Sequence, residues 1–210
     1  MKKIFIDLEM TPVAASKLPS GGSLRSEVIE IGAVALDERN NVIGSFDEFV
    51  RPVHTDHVAD NITGLTGIGT EQVAQAAPFT EVFPRFLEWC GPVCTFYAWS
   101  RNDQAQLIKE CDDKGIDADK QLRGWKDFQE IFVRKFGYER RMSLSAAITL
   151  AGLDFKGRPH SALADAENTA ALYQYTKQPA FRNLTVALRE NRRALTVSLG
   201  NLFDLAGLAV

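Results

Sequence analysis

Apolar positions along the chain change their period several times, and each change marks an element. Ile4-Phe5-Ile6 is a short apolar run that reads as a buried strand ending at Asp7. Thr11 to Ser26 contains Pro12, Pro19, Gly21 and Gly22 and reads as a loop. Glu27 to Leu36 (EVIEIGAVAL) is rich in apolar and β-branched residues and predicts a second strand. Asn40-Asn41 supplies turn chemistry, and Val42 to Val50 alternates as a third strand, which closes a hairpin or meander. Beyond Arg51-Pro52 the period lengthens. Asn61 to Gly69 (NITGLTGIG) predicts a loop with short helical turns, and Glu71 to Ala77 a brief helix. Phe79, Val82, Phe83, Phe86 and Leu87 fall at helical spacing, so Pro78 to Cys90 predicts a helix that Pro84 disturbs.

Val93 to Trp99 (VCTFYAW) predicts a central strand, followed by a helix from Asp103 to Lys114 that Gly115 ends. Trp125 to Phe136 mixes a short strand with a helix; Ser143 to Ala151 is a short helix, Gly152 to Pro159 a loop, and Ser161 to Lys177 an Ala-rich helix that Pro179 interrupts. Three strands, helices, a strand and further helices in that order predict an α/β fold, a mixed sheet with helices on its faces. Residues 1–178 form one domain in this reading. Residues 179–210 form a helical tail, amphipathic at first and Leu-rich at its end, which docks on the domain or serves a homodimer or protein interface.

Composition narrows the class. Hydrophobic residues make up 45% of the 210, enough for a packed core. A net charge of -3 argues against a passive nucleic-acid binder but not against an enzyme whose carboxylates gather around cations. The three cysteines, Cys90, Cys94 and Cys111, form no CxxC pair, so neither a zinc site nor a disulfide framework is expected, and reduced thiols suit a cytoplasmic location. The apolar run after Met1-Lys2-Lys3 is broken by Asp7 and Glu9, which argues against a signal peptide, and no stretch approaches the roughly 18 apolar residues of a membrane span.

The candidate chemistry lies in acids. Asp7 and Glu9 stand two apart at the end of a buried strand, so period two turns both side chains to one face. Two acids on the same side of a buried strand need compensation, for which a divalent metal is the obvious source. On its own the pair is equally a strand end frayed into solvent. Asp103 follows the strand 93–99, where open α/β sheets place their sites, although a first-turn acid also simply suits a helix dipole. Asp165 lies between Ala164 and Ala166, whose small side chains let another element approach; a solvated helical acid is the alternative. His160 precedes that helix and has the proton affinity of a general base.

Asp7-Leu8-Glu9 after a strand, Asn102-Asp103-Gln104 after the next strong strand, and His160 five residues before Asp165 together resemble the three motifs of the DEDDh 3′–5′ exonuclease superfamily, to which the proofreading subunit of DNA polymerase belongs. EVIEIGAVAL, FDEFVRP, ITGLTGI and PFTEVFPRFLEW are similar to its ERI/KapD-like branch, and the likeness covers about residues 2 to 177. The second motif departs from the family's frequent His-Asn or Gly, with Ser100-Arg101-Asn102 before Asp103.

The resemblance implies a ribonuclease-H-like, mixed five-stranded sheet flanked by helices on both faces. It implies two Mg2+ or Mn2+ ions about 3.5–4 Å apart, bridged by Asp7, with Glu9 and Asp165 completing the one that holds the attacking water and Asp103 holding the other. His160 would be the general base, Met10 would line the terminal nucleotide pocket, and nucleic acid with a free 3′ end, RNA rather than DNA, would be the substrate. Phe96 and Trp99 are core aromatics, with base stacking as the alternative. Two other classes compete: a haloacid-dehalogenase-like phosphatase with Asp7 as nucleophile, and a non-catalytic nucleic-acid-binding module on the same fold.

Overall fold

The computed structural model describes residues 1–17, 23–138, 140–188 and 190. Its strands are β1 (Lys2–Pro12), β2 (Ser26–Leu36), β3 (Val42–Phe49), β4 (Cys94–Ala98) and β5 (Lys126–Asp127). Its helices are α1 (Asp60–Thr66), α2 (Thr70–Ala74), α3 (Phe79–Cys90), α4 (Asn102–Lys114), α5 (Asp119–Leu122), α6 (Phe128–Phe136), α7 (Leu144–Leu150) and α8 (Ala162–Tyr175). The sheet order is β3-β2-β1-β4-β5, antiparallel across β3-β2-β1 and parallel across β1-β4-β5. The mixed five-stranded sheet is therefore present, with β1 in the middle and β4 an interior strand between β1 and β5.

β1 does not end at Asp7. Its backbone stays paired with β2 from Lys3 opposite Leu36 to Pro12 opposite Ser26, with a register shift between Glu9 and Met10. A ladder needs only backbone groups, so acidic side chains do not stop it provided they share a face and find compensation there. The expected loop from Thr11 accordingly begins later, and within NITGLTGIG residues 61–66 belong to the two-turn helix α1, closed by Gly67 in the left-handed region at φ 78°, with 67–69 as loop. α3 runs through Pro84, whose ring sits on the exposed side.

The two faces of the sheet bury different cores. Ile4, Ile6 and Leu8 of β1 pack with Ile31, Ala33 and Ala35 of β2 under α3 and α4, where Phe79, Phe83, Phe86 and Leu107 close the layer. Phe5 and Val34 point the other way, into a cluster with Phe128, Phe132, Ala166, Ala170 and Leu172 of α6 and α8. By period two, Asp7 and Glu9 share the face of Phe5, while Gly32 and Glu30, their cross-strand partners, share the face of Val34. Along the α8 face the pairs thus run from apolar (Phe5–Val34) to Asp7–Gly32 to Glu9–Glu30.

After α8, residues 179–188 are helical, so Pro179 opens a helix rather than ending one. Phe181 of that segment is buried against Phe132, Phe136 and Tyr175. The Leu-rich end expected at an interface, 198–210, lies outside the described residues, as does the loop stretch 18–22. Among the described residues no helix is long and apolar enough to cross a membrane.

Gly32 makes the seating of α8 possible. A β-carbon there would overlap the Leu163 nitrogen and the Ala162 carbonyl carbon, which are backbone atoms that no rotamer change can move. Gly32→Ala is expected to push α8 off the sheet and destabilise the fold by about 1–3 kcal/mol or more, read as a lowered urea midpoint. An unchanged midpoint would contradict this packing.

Candidate active site

The site is assembled from four chain segments. β1 delivers Asp7 and Glu9 on the α8 face at its C-terminal half. Glu9 is 8% exposed, so it does not fray into solvent.

Asp103 comes from the first turn of α4, directly after β4. The parallel pairing of β1 with β4 ends at Phe5 opposite Tyr97, which leaves the later β1 backbone open on that side. The Asp103 carboxylate fills the gap by accepting a hydrogen bond from the Leu8 N–H. A short β4 followed at once by a helix is what brings this acid, 6% exposed, beside β1.

α8 brings Asp165. Ala162, Ala166 and Ala170 form a small-residue stripe that lets the helix lie close to β2, and Gly32 removes the last obstacle. The helix needs a partner for its first free N–H groups. Ser161 makes no capping hydrogen bond with its side chain; instead Glu30 accepts from the Ala162 N–H at 3.0 Å. Glu30 is 4% exposed and faces Glu9 across the β1–β2 ladder. Sequence reasoning passed over Glu30, although an acid inside the apolar run EVIEIGAVAL carried the same signal as Asp7 and Glu9.

His160 sits on the loop that leads into α8. Buried Asn168 of α8 grips the loop at Lys156, accepting from its N–H at 3.0 Å and donating to its carbonyl at 2.7 Å. The His160 N–H donates to the Asp165 carboxylate at 3.1 Å. His160 itself has φ 63°, a left-handed conformation that a non-glycine residue keeps only when its surroundings hold it. Ligand atoms of Glu9, His160 and Asp165 lie within 4.8 Å of one another. All five predicted residues, Asp7, Glu9, Asp103, His160 and Asp165, line one cleft of about 540 Å³, and Met10 lines it too. Trp99 borders the cleft while packing on Phe128 and donating its indole N–H to the Met142 carbonyl at 3.1 Å; Phe96 lies in the core, stacked on Trp125. A larger cavity of about 650 Å³, at the N-terminal end of β4, has Glu88 as the only acid among its described lining residues.

Electrostatics set this acid cluster apart. Burial, then repulsion from Asp103, Asp165, Glu9 and Glu30, raises the Asp7 carboxyl well above its usual range. Burial and the Asp165, Glu30 and Asp103 charges push Glu9 up to about 8. Burial carries Asp103 to about 7 against the hydrogen bonds it accepts, and Glu30 to about 7 against the Ala162 N–H. Asp165 is raised by burial, opposed by His160. A second acid set, buried Glu27 and Glu110 with half-buried Asp113, shows the alternative solution, since Lys114 ion-pairs with all three. Among the described residues no lysine or arginine forms an ion pair with Asp7, Glu9, Glu30, Asp103 or Asp165. Oxygen donors without a protein cation are the ligand set of a hard divalent metal.

A family model for exonucleases matches residues 4–173. The chain is similar to ERI1 exoribonuclease 2 of Danio rerio, with 32% identity over 195 residues, covering 81% of this chain and 34% of that protein. It is similar to the 3′-5′ exonuclease Snipper of Drosophila melanogaster, with 27% identity over 168 residues, covering 70% of this chain and 59% of that one. The chain thus spans only about a third of the first relative and less than two thirds of the second. In fold it is similar to the nuclease domain of 3′hExo, a DEDDh family member bound to rAMP, with a TM-score of 0.75 at 23% identity over 84% of this chain and 92% of that one. This likeness agrees with the expected ribonuclease-H-like fold. Neither the phosphatase reading of Asp7 nor a non-catalytic module finds support among these relatives.

The raised carboxyls set the sign of a pH effect. In the unfolded chain these groups lose their protons near pH 4, whereas in the metal-free fold Glu9, Asp103 and Glu30 hold theirs to pH 7–8. Stability from this cluster is therefore full below pH 4 and is lost as pH rises through 8. In EDTA, Tm is expected to fall from pH 5 to pH 8.5, and Mn2+ is expected to raise it more at pH 8 than at pH 5. A Tm indifferent to Mn2+ at pH 8 would contradict a cation site here.

Proposed function

The chain belongs to the exonuclease family, and on that premise we propose that it is a metal-dependent 3′–5′ exonuclease that removes nucleoside 5′-monophosphates from RNA. One observation carries the reading: four carboxylates and a histidine from distant parts of the chain converge on one cleft, with Glu9, His160 and Asp165 close enough to share a ligand.

The residues divide the work by position. Asp7, Glu9, Asp103 and Asp165 would hold two divalent cations, Mg2+ or Mn2+, whose charge would offset the carboxylates and polarise the scissile phosphate. His160, exposed at the rim, takes a proton from the attacking water. The water oxygen bonds to the terminal phosphorus, the bond to the upstream 3′-oxygen breaks, that oxygen takes up a proton from solvent, and the nucleoside 5′-monophosphate leaves. Met10, one residue beyond Glu9 at the register shift, lines the pocket for the terminal nucleotide. RNA is favoured because the relatives are named exoribonucleases and a structural neighbour holds rAMP. The free thiols Cys90, Cys94 and Cys111 fit a cytoplasmic, reducing setting. Residues 1–178 act as the catalytic domain, with the helix that begins at 179 docked on it.

Digestion of 3′-labelled RNA and DNA oligomers with Mg2+, Mn2+ or EDTA tests this. Mononucleotide release is expected with either ion, faster from RNA, and none in EDTA. Asp7→Asn and His160→Ala should each lower the rate by at least about 100-fold with unchanged circular dichroism. Full activity in Asp7→Asn would rule the mechanism out.

A further inference from the structure

The general-base reading leaves a question of geometry. Among the described residues no hydrogen bond holds the His160 imidazole, so its ring is aimed only by the backbone beneath it. That backbone is an exposed loop in a left-handed conformation. Two of its fastenings, at Lys156 and at the His160 N–H, both lead to α8. A third leads elsewhere.

We propose that Arg158 is a positioning residue for His160, fastening the loop to the C-terminal carbonyls of α1. The last turn of a helix leaves carbonyls without intrahelical partners and carries partial negative charge. In α1 the Gly67 N–H reaches back to the Thr63 carbonyl at 2.8 Å, and the next two carbonyls, Gly64 and Leu65, receive the Arg158 guanidinium at 3.3 and 3.2 Å. Gly67 clears the space, because a β-carbon there would overlap the Arg158 guanidinium. The ITGLTGI segment, which the catalytic set does not use, thus forms a seat: two carbonyls to accept and a glycine to admit the side chain.

The transmission to His160 is short. Pro159 fixes its own φ and restricts Arg158 to extended backbone, so the main chain between Arg158 and His160 has few free torsions. Both bonds leave one guanidinium nitrogen, Nη2, while Nη1 occupies the space that a Gly67 β-carbon would take, so the planar group fills the seat as a whole and a lysine ammonium would fill only part of it. Removing the guanidinium frees the loop between its α8 fastenings. The carboxylates stay in place, since Asp165 is carried by α8, and α8 is seated by Glu30 and Gly32.

This inference rests on His160 being the general base, and the test separates the two. Single-turnover release from a 3′-labelled RNA oligomer with Mg2+ is measured for the full chain and for Arg158→Ala, Arg158→Lys, His160→Ala and the double variant, with Mn2+ affinity by titration. Arg158→Ala is expected to slow the chemical step about 10- to 100-fold, with KM and Mn2+ affinity changed less than about threefold. Arg158→Lys should recover part of the loss. In the His160→Ala background, Arg158→Ala should add nothing. The Arg158→Ala deficit should also shrink as pH rises towards 9.5 and hydroxide replaces the base, which a structural defect would not do. If His160→Ala keeps the full rate, the general-base reading falls. If His160→Ala is slow but Arg158→Ala is as fast as the parent, or its deficit is constant with pH, or the two losses multiply, the positioning role is overturned. Should His160→Ala fall below detection, the pH dependence decides.

Discussion

The close seating of the α8 N-terminus on β2 is the contact on which the rest depends. It needs a missing side chain at Gly32, a stripe of alanines on the helix, and an acceptor for the first helical N–H, which Glu30 supplies. These three requirements fall on two elements far apart in sequence. Together they carry Asp165 down to the level of Asp7 and Glu9 and bring the His160 loop over the cleft.

The same seating gathers carboxylates that repel each other. Glu9 and Glu30 face each other across a ladder, and Asp7, Asp103 and Asp165 close around them. Elsewhere this chain answers such crowding with a lysine, as Lys114 does among Glu27, Glu110 and Asp113. Here it does not, and the cluster is left to be neutralised by protons or by cations from solution. Burial is what makes that choice consequential, because charge on a buried carboxylate is felt far more strongly than on the surface.

Much of this was legible in the sequence, for reasons that differ by residue. Asp7 and Glu9 could be placed on one face because period two is a property of any strand, and Asp165 could be suspected because its neighbours are small. The fold class followed from the order of periodic segments. The extent of β1 was not legible: an acid normally signals a strand end, and only pairing with β2 shows that the ladder continues to Pro12. β4 is flanked on both sides, as its apolar run implied, but its pairing with β5 covers only two residues, which no apolar run announces. Glu30 was hidden in plain view among apolar residues. Arg158 was invisible, since its partners are carbonyls of a segment that reads as a loop, and carbonyls leave no mark in a sequence.

The four segments that meet at the cleft span nearly the whole domain, from β1 to α8. Contacts between such distant segments form late when a chain folds, after the loops between them have closed. A chain released or cleaved before residue 160 would own Asp7, Glu9 and Asp103 but neither His160 nor Asp165. The full set of candidate ligands therefore comes together only in the completed domain.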